Sequence, residues 1–249
     1  MAGHSKWANI KFRKERQDAK KGKVFTRLIK EITIAARIGG GDADSNPRLR
    51  TAVQAAKQAN MPMKNIENAI LKGTGELPGV VYEEVAYEGY GPGGVALFIL
   101  CQTDNRNRTV GEVRHILSKN GGNLGESGCV AWMFERKGLI RVPAAGRDEE
   151  EMMLTAIEAG ADDIRTEGEV FEIFTAFEEL DAVRTSLESA DVPVDSAAIT
   201  YIPQNTVPLE GKEADQMIRL MMALEDNDDV QDVFANFDID ESVMEQMGA

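Results

Sequence analysis

Apolar residues recur at helical spacing through the first third of the chain. From Asp18 to Gly39 they fall mostly three or four residues apart, and a run of three glycines ends the pattern, which predicts one long amphipathic helix. Two further helices are predicted after proline-containing breaks, one from Arg48 to Asn60 and a short one that ends at Gly73. Residues 1–75 are therefore predicted to form a small helical bundle with a basic N-terminal tail.

Beyond a linker at 74–79 the apolar period changes from about 3.6 residues to about 2, which is typical of strands. Two strands are predicted around the Gly-rich turn 89–94, followed by a helix from about Arg108 to Lys119 and by strands on either side of Lys137-Gly138. From Asp148 to Tyr201 the pattern predicts the order helix, strand, strand, helix, strand.

The last predicted helix, Lys212 to Leu224, and the last strand, Val230 to Phe237, are too short for a domain of their own, so we assign them to the middle domain. The predicted fold class is α+β, with an N-terminal helical bundle followed by two ferredoxin-like α/β domains, the first of them discontinuous. The predicted domains are residues 1–75, residues 80–142 plus 208–249, and an inserted acidic domain of residues 143–207.

The net charge of −14 is unevenly distributed along the chain. Residues 1–75 contain 16 Lys+Arg and 6 Asp+Glu, a net charge of +10, so residues 76–249 contain the remaining 12 and 36, a net charge of −24. A solvated surface explains the acidic part of the chain. The concentrated basic excess predicts an anionic partner, because like charges otherwise repel one another.

Cations along one side of the long helix predict a nucleic-acid-binding face, since only Glu31 is near them to neutralise their charge. They suit contacts to phosphates, and no base-reading helix-turn-helix is evident. Trp7 in the tail suits stacking on an unpaired base, although packing on the bundle explains it about as well. The predicted nucleic-acid-binding residues of this region are Lys6, Trp7, Lys11, Arg13, Lys14, Arg16, Lys20, Lys23, Arg27, Lys30 and Arg37.

Two polar loops are further candidates. Asp104 or Asn105 is expected to cap the next helix, while Arg106 and Arg108 oppose its positive end, an arrangement that suits a bound anion such as phosphate. We therefore add both arginines to the predicted nucleic-acid-binding residues. The loop 121–128 is rich enough in glycine for close backbone approach to a ligand, and it suits a loose turn equally well.

The sequence predicts no catalytic residues. Residues 89–94 match the letters of a dinucleotide-binding loop, but a strand follows where that motif needs a helix. The two histidines, His4 and His115, have no cysteine or histidine cluster around them, which excludes a structural zinc site. No other metal, cofactor or small-molecule substrate is expected from the sequence. His115 is expected to be a partly buried packing residue.

Cys101 and Cys129, the only cysteines, each lie in an apolar run and are expected to be small buried residues. This usage favours a reducing compartment. No run of residues has the composition of a secretion signal or of a membrane span, so we expect a cytoplasmic protein without a membrane partner.

Five motifs, in order, carry a resemblance to a known family: Gly3-His4-Ser5-Lys6-Trp7-Ala8-Asn9-Ile10-Lys11, Asn46-Pro47-Arg48-Leu49-Arg50, Tyr87-Glu88-Gly89-Tyr90-Gly91-Pro92-Gly93-Gly94, Thr103-Asp104-Asn105-Arg106-Asn107-Arg108-Thr109 and Gly121-Gly122-Asn123-Leu124-Gly125. Together they resemble the YebC/PmpR family, which includes the mitochondrial translational activator of cytochrome c oxidase. The match is close over the first 140 residues and covers the rest in organisation. Phe12 and Cys129 depart from the family pattern, so neither is assigned a role.

The resemblance implies a three-domain, non-enzymatic, cytoplasmic protein of the kind described as probable transcriptional regulators that bind DNA. For mitochondrial and some bacterial relatives it implies a ribosome-associated role in translation. Three hypotheses follow: a DNA-binding regulator of transcription, a translation factor that binds ribosomal RNA on the ribosome, and a protein-interaction module with an acidic surface.

Overall fold

The computed structural model describes residues 21–240 and residue 243. The described residues form two compact units, one that extends to Phe134 and resumes at Pro203, and one from Glu135 to Ile202. The described chain begins with three helices, and the rest of it combines helices with four-stranded sheets. The predicted α+β class is therefore confirmed.

The helices of the described residues are α1 (Lys21–Gly39), α2 (Pro47–Gln58), α3 (Met63–Thr74), α4 (Arg106–Lys119), α5 (Glu149–Glu158), α6 (Leu180–Ser189) and α7 (Gly211–Glu225). The strands are β1 (Glu83–Tyr90), β2 (Ala96–Thr103), β3 (Asn123–Leu124), β4 (Phe134–Pro143), β5 (Asp163–Glu167), β6 (Val170–Ala176), β7 (Ser196–Pro203), β8 (Val207–Pro208), β9 (Val230–Ala235) and β10 (Phe237–Asp238).

Asn46 joins the first two helices of the bundle. Its side chain accepts a hydrogen bond from the Leu49 N–H at 3.1 Å and so caps α2. Its amide nitrogen donates to the carbonyl oxygens of Ala35 and Gly40, both at 2.9 Å, and thereby holds the end of α1. Pro47 follows at the start of α2, where its missing N–H costs no intrahelical hydrogen bond.

Small residues set the packing of the bundle. α1 and α3 approach so closely at Gly73 that a β-carbon there would overlap the Thr33 carbonyl oxygen. The Thr33 hydroxyl also donates to the Ala69 carbonyl oxygen across this contact. The buried core contains Ile32, Ala35, Ala36, Leu49, Ala52, Ala56, Met61, Ile66 and Ala69.

The same unit contains a sheet with the strand order β3-β1-β2-β9. Strands β2 and β9 are antiparallel, and Ile99 pairs with Val233. Leu97 and Ile99 are fully buried in a core shared with α4 and α7. The last helix and strand therefore complete this sheet from a distant part of the sequence, as the discontinuous domain requires.

The unit from Glu135 to Ile202 has the chain order strand, helix, strand, strand, helix, strand, and its sheet order is β5-β6-β4-β7. This is the ferredoxin-like arrangement. Its core contains Ile140, Val142, Met152, Ala156, Phe171, Ile173, Val183, Leu187 and Val192.

One strand lies outside its predicted place. The pattern predicts two strands around Lys137-Gly138 in the middle domain, whereas the structure has one strand, β4, which pairs with β6. Ile140 and Val142 of β4 are buried in the ferredoxin-like core. Alternation of apolar residues predicts a strand but does not tell which sheet it joins, which is why a boundary after residue 142 cannot be read from the pattern.

Candidate nucleic-acid interface

The basic side of α1 contacts the C-terminal end of α7 and the turn that follows it. Lys23 Nζ donates to the Asp226 carbonyl oxygen at 2.5 Å and to Asp226 Oδ1 at 2.8 Å, and Arg27 Nη2 donates to the Glu225 carbonyl oxygen at 2.5 Å. Carbonyl groups at a helix C-terminus lack intrahelical partners, and cations there interact favourably with the helix dipole. These two cations therefore cap α7.

Lys30 lies at the buried centre of this contact. Its ammonium group donates to the carbonyl oxygens of Gln102 and Asp228, at 3.1 and 2.8 Å, and to Asp229 Oδ1 at 2.9 Å. Three acceptors match the three donors of an ammonium group. The Lys30 and Asp229 side chains are each 7% exposed, so in this arrangement Lys30 is not open to a phosphate.

The second carboxylate oxygen of Asp229 joins this contact to β2 and α4. It accepts hydrogen bonds from Arg108 Nη2 at 2.6 Å, from Thr109 Oγ1 at 2.8 Å and from Thr103 Oγ1 at 3.2 Å. Burial alone would raise the pKa of Asp229, but the hydrogen bonds from Arg108, Lys30 and Thr109 outweigh it and lower the pKa to about 2. Asp229 is therefore a fully charged acceptor at neutral pH.

Arg48 makes a second connection between the bundle and the sheet. Its guanidinium group donates to both oxygens of Glu31 on α1, at 2.7 and 2.9 Å, and to both oxygens of Glu84 on β1, at 2.6 and 3.0 Å. The hydrogen bond from Arg48 lowers the pKa of Glu84. Two bidentate contacts of this kind give both strength and fixed geometry.

The expectation that the cations of α1 lack acidic partners is wrong for Lys23 and Lys30, which pair with Asp226 and Asp229, while Arg27 donates to a backbone carbonyl oxygen. Their partners come from residues 225–229, about two hundred positions away in the sequence, where a survey of neighbours on the same helix does not reach. The role of these three residues in binding nucleic acid stays a prediction. The predicted residues that lie outside the described part of the chain are Lys6, Trp7, Lys11, Arg13, Lys14, Arg16 and Lys20.

Arg106 and Arg108 also face carboxylates of this chain. Arg106 forms a salt bridge of 2.8 Å with Glu83, and both side chains are more than half exposed. Arg108 contacts Asp104 and Asp229. Asn105 caps the helix, since its side chain accepts a hydrogen bond from the Arg108 N–H, which confirms one of the two predicted capping residues. Anions from the chain itself thus face the positive end of α4.

Other cations of the bundle remain at the surface. Arg37, Lys57, Lys64 and Lys72 are exposed, and none forms a salt bridge to another residue between 21 and 240. Of these, only Arg37 belongs to the predicted set. The prediction for the bundle rests on the cations along α1, so it leaves out the three lysines on the shorter helices α2 and α3.

The Gly-rich loop after α4 is held by a buried carboxylate that the sequence analysis missed. Glu88 on β1 is 5% exposed and accepts hydrogen bonds from the N–H groups of Gly128, Val130 and Ala131, at 2.6 to 2.7 Å. Burial tends to raise the pKa of Glu88, and the three N–H groups together lower it. A glutamate among the glycines and tyrosines of residues 87–94 is the one sequence signal that could have found it.

Glycine in this loop permits close packing within the protein itself. A β-carbon at Gly122 would lie 2.5 Å from the Tyr90 carbonyl oxygen, so β3 can approach β1 only with glycine there. Packing within the chain therefore accounts for this glycine. Because β3 pairs with β1, the segment is not a loose turn, and close approach of a ligand to it stays a prediction.

Groups with possible reactivity are few in the described chain. No set of three or more His, Cys, Asp or Glu residues between 21 and 240 is placed to hold a metal ion. Burial raises the pKa of the Cys101 thiol to about 12, which makes it unreactive at neutral pH. His115 is exposed, so the expected packing role is wrong, because it lies on the solvent side of α4.

Two family models match the chain and together cover most of it. Residues 5–76 match the TACO1/YebC protein N-terminal domain, and residues 82–237 match the TACO1/YebC second and third domain. The chain belongs to the TACO1/YebC family. The predicted resemblance to YebC proteins is thereby confirmed.

Relatives of the TACO1/YebC chain with similar sequences are named probable transcriptional regulatory proteins. One from Desulforapulum autotrophicum is 57% identical over 247 residues, which cover 99% of this chain and 100% of the relative. One from Geobacter sulfurreducens is 59% identical over 247 residues, with the same coverage. The crystal structure of a conserved hypothetical protein from Aquifex aeolicus is 54% identical, has a TM-score of 0.84, and covers 90% of this chain and 92% of its own.

The motifs that identify a TACO1/YebC protein coincide with the contacts described above. Asn46 and Arg48 connect helices of the bundle to one another and to the sheet. Glu88 holds the Gly-rich loop, and Arg108 and Thr109 bind Asp229. In the part of the chain that the structure describes, no helix combines the length and the apolar composition that crossing a membrane requires.

Proposed function

We propose that this TACO1/YebC protein is a non-enzymatic, cytoplasmic regulator of gene expression that binds nucleic acid through its N-terminal basic region. The observation that supports the proposal most strongly is the separation of charge, with a net charge of +10 in residues 1–75 and −24 in the rest. The names of the relatives support a regulatory role. A basic region of this size beside acidic domains favours binding to a polyanion.

Within the basic region, we assign the first contacts with phosphates to two groups of cations. One group lies at the surface of the bundle and consists of Arg37, Lys57, Lys64 and Lys72. The other group precedes the described residues in the sequence and consists of the tail cations Lys6, Lys11, Arg13, Lys14 and Arg16 together with Lys20. Lys30 can reach a phosphate only if residues 225–229 move away, since its three donors are used by Asp228, Asp229 and Gln102. Lys23 and Arg27 each already donate to that segment, so it competes with a phosphate for them.

Contacts of this kind read the backbone of a nucleic acid and not its sequence. The two ligands to compare are therefore duplex DNA, which suits a transcriptional regulator, and structured RNA, which suits a translation factor on the ribosome. One observation favours RNA as the second candidate ligand. Trp132 is 67% exposed, and its indole N–H is held by the Cys129 carbonyl oxygen at 3.1 Å. An exposed aromatic ring can stack on an unpaired base, which RNA loops present.

The test is a titration of a fluorescent DNA duplex and of a structured RNA hairpin with the full chain at several salt concentrations. A variant with Lys57, Lys64 and Lys72 changed to Gln removes three surface cations, so we expect the log-log salt slope to become less negative by about 2 to 3. The matched control is Lys212→Gln with Arg219→Gln, which removes exposed cations from α7 and should leave the slope unchanged. A slope near zero for the unmodified chain with both ligands would exclude the proposed function.

A further inference from the structure

Helix α5 exposes apolar side chains to solvent. Met153, Leu154 and Ile157 are 43%, 64% and 59% exposed, whereas Met152 and Ala156 of the same helix are buried in the core of the unit. The fold therefore uses one side of α5 and leaves the neighbouring apolar side uncovered. Single exposed apolar residues are ordinary on protein surfaces, but a cluster within about one helical turn indicates an interaction site.

The cluster borders a groove between α5 and β5. The groove has a volume of about 140 Å³, and Met153, Ile157 and Ile164 supply much of its apolar lining. Asp162 and Asp163 complete it at the start of β5 and are exposed. Strand β5 is at the edge of the sheet, so no further strand among the described residues covers this side of the groove.

Acidic side chains surround the apolar cluster. Leu154 lies three or four positions from Glu150, Glu151 and Glu158, which places all three glutamates next to it on the helix surface. These glutamates are exposed and form no salt bridge with another described residue. The unit from 135 to 202 contains 17 Asp+Glu and 6 Lys+Arg, a net charge of −11, so this surface repels nucleic acids and anionic lipids.

We propose that the groove between α5 and β5 binds a basic amphipathic helix of a partner protein. Apolar side chains spaced three or four residues apart on the partner would fill the groove beside Met153 and Ile157. Lysine or arginine side chains flanking them would meet Glu150, Glu151 and Glu158. This is the helix-in-groove mode of recognition, in which apolar anchors supply affinity and the charged rim supplies orientation and speed of association.

A second copy of this chain fits the groove poorly. Its own basic helices α1, α2 and α3 bury their apolar sides in the core of the bundle, so they cannot offer those residues to a groove. The partner that fits is a different protein with a cationic helix whose apolar side is free. The proposal is independent of the nucleic-acid-binding function, because it concerns the other unit of the chain.

The test uses the full ¹⁵N-labelled chain and an acetylated peptide of about 14 residues with leucines at helical spacing i, i+3, i+4, i+7 and lysines elsewhere. We expect the peptide to shift amide signals of α5 and β5 and few others. Ile157→Lys should weaken binding about tenfold or more, because it replaces an anchor contact by a like-charge repulsion. Ile199→Lys is the matched control, since Ile199 is a 41% exposed isoleucine outside the groove, and it should change affinity less than about twofold.

The same peptide with glutamates in place of its lysines should not bind. Signal shifts that spread evenly over the acidic surface and persist in Ile157→Lys would overturn the proposal, because they would show unspecific attraction. A dimer in sedimentation that Ile157→Lys dissociates would also overturn it, because the groove would then be a contact between copies. Circular dichroism should show an unchanged fold for both variants, since both isoleucines are exposed.

Discussion

Lys30 and Asp229 lie 199 residues apart in the sequence and form an ion pair of 2.9 Å in which each side chain is 7% exposed. The pair joins the helical bundle to the sheet that follows it within one unit. Because the Asp229 carboxylate also accepts hydrogen bonds from Arg108, Thr103 and Thr109, its loss would remove one acceptor from each of four donors and the counter-ion of the buried Lys30.

The first prediction concerns stability. Asp229→Ala should lower the free energy of unfolding by about 3 to 5 kcal/mol, because it leaves the Lys30 ammonium buried without its counter-ion. Lys30→Met in the same background should restore part of that loss, since the unpaired charge is then gone. Urea unfolding of the four proteins of this double-mutant cycle measures the coupling. If the loss in the double variant equals the sum of the losses in the two single variants, the two residues act separately.

The second prediction concerns acid. The pKa of Asp229 is about 2 in the folded chain and 3.8 ordinarily, so the folded state holds the proton less tightly. The charged Asp229 carboxylate therefore adds about 2 kcal/mol to the free energy of unfolding above about pH 4. This stabilisation is lost as the pH falls towards 2. Measured between pH 5 and 2, the stability of the unmodified chain should fall more steeply than that of Asp229→Asn. Parallel curves would contradict the lowered pKa.

Much of the local structure follows from the sequence. Helical spacing of apolar residues, the Asn46-Pro47 start signal and the final glycines fix the bundle helices, because all of these act within one or two turns. The helix cap at Asn105 is local in the same way. The prediction for strand β4 assigns it to the wrong sheet, because an alternating pattern carries no information on which strand will be its neighbour.

The candidate site is harder to predict, because its determining contacts are distant in sequence. Lys23, Arg27 and Lys30 have the spacing of a phosphate-binding stripe, and that spacing equally suits the capping of another helix. Which of these two roles the cations take depends on where residues 225–229 lie in the fold, and no local sequence pattern predicts that position. In the sequence Asp229 is one of three aspartates among residues 226–229, and no local pattern distinguishes it from the other two.

The third prediction separates docking from nucleic-acid binding. Arg27→Gln should lower the free energy of unfolding by about 1 to 2 kcal/mol, because it removes the hydrogen bond to the Glu225 carbonyl oxygen at the end of α7. Lys57→Gln should change it by less than about 0.5 kcal/mol, since Lys57 is exposed and unpaired among the described residues. Chemical unfolding measures both variants.

Affinity for a DNA duplex should respond in the opposite order. Lys57→Gln should weaken binding, and Arg27→Gln should leave it nearly unchanged as long as the acidic turn stays in place. A variant Arg27→Gln that keeps full stability and loses affinity would show instead that Arg27 binds phosphate directly.

The last prediction concerns Glu88. Glu88→Gln keeps the shape of the side chain but removes the charge that three N–H groups share, and one of its two oxygens becomes an amide group that donates. The two N–H groups on Oε2, from Val130 and Ala131, and the one on Oε1, from Gly128, cannot all be satisfied by an amide. We expect a loss of local stability of about 1 to 3 kcal/mol that is concentrated in residues 126–131.

Hydrogen exchange should show faster exchange at the amides of Gly128, Val130 and Ala131, while the buried amides of β2 keep their protection. Glu126→Gln, which changes an exposed glutamate of the same loop, is the control and should leave all of these rates unchanged. Uniformly faster exchange throughout the sheet would mean that Glu88 supports the whole unit, and the assignment of its charge to the loop would be wrong.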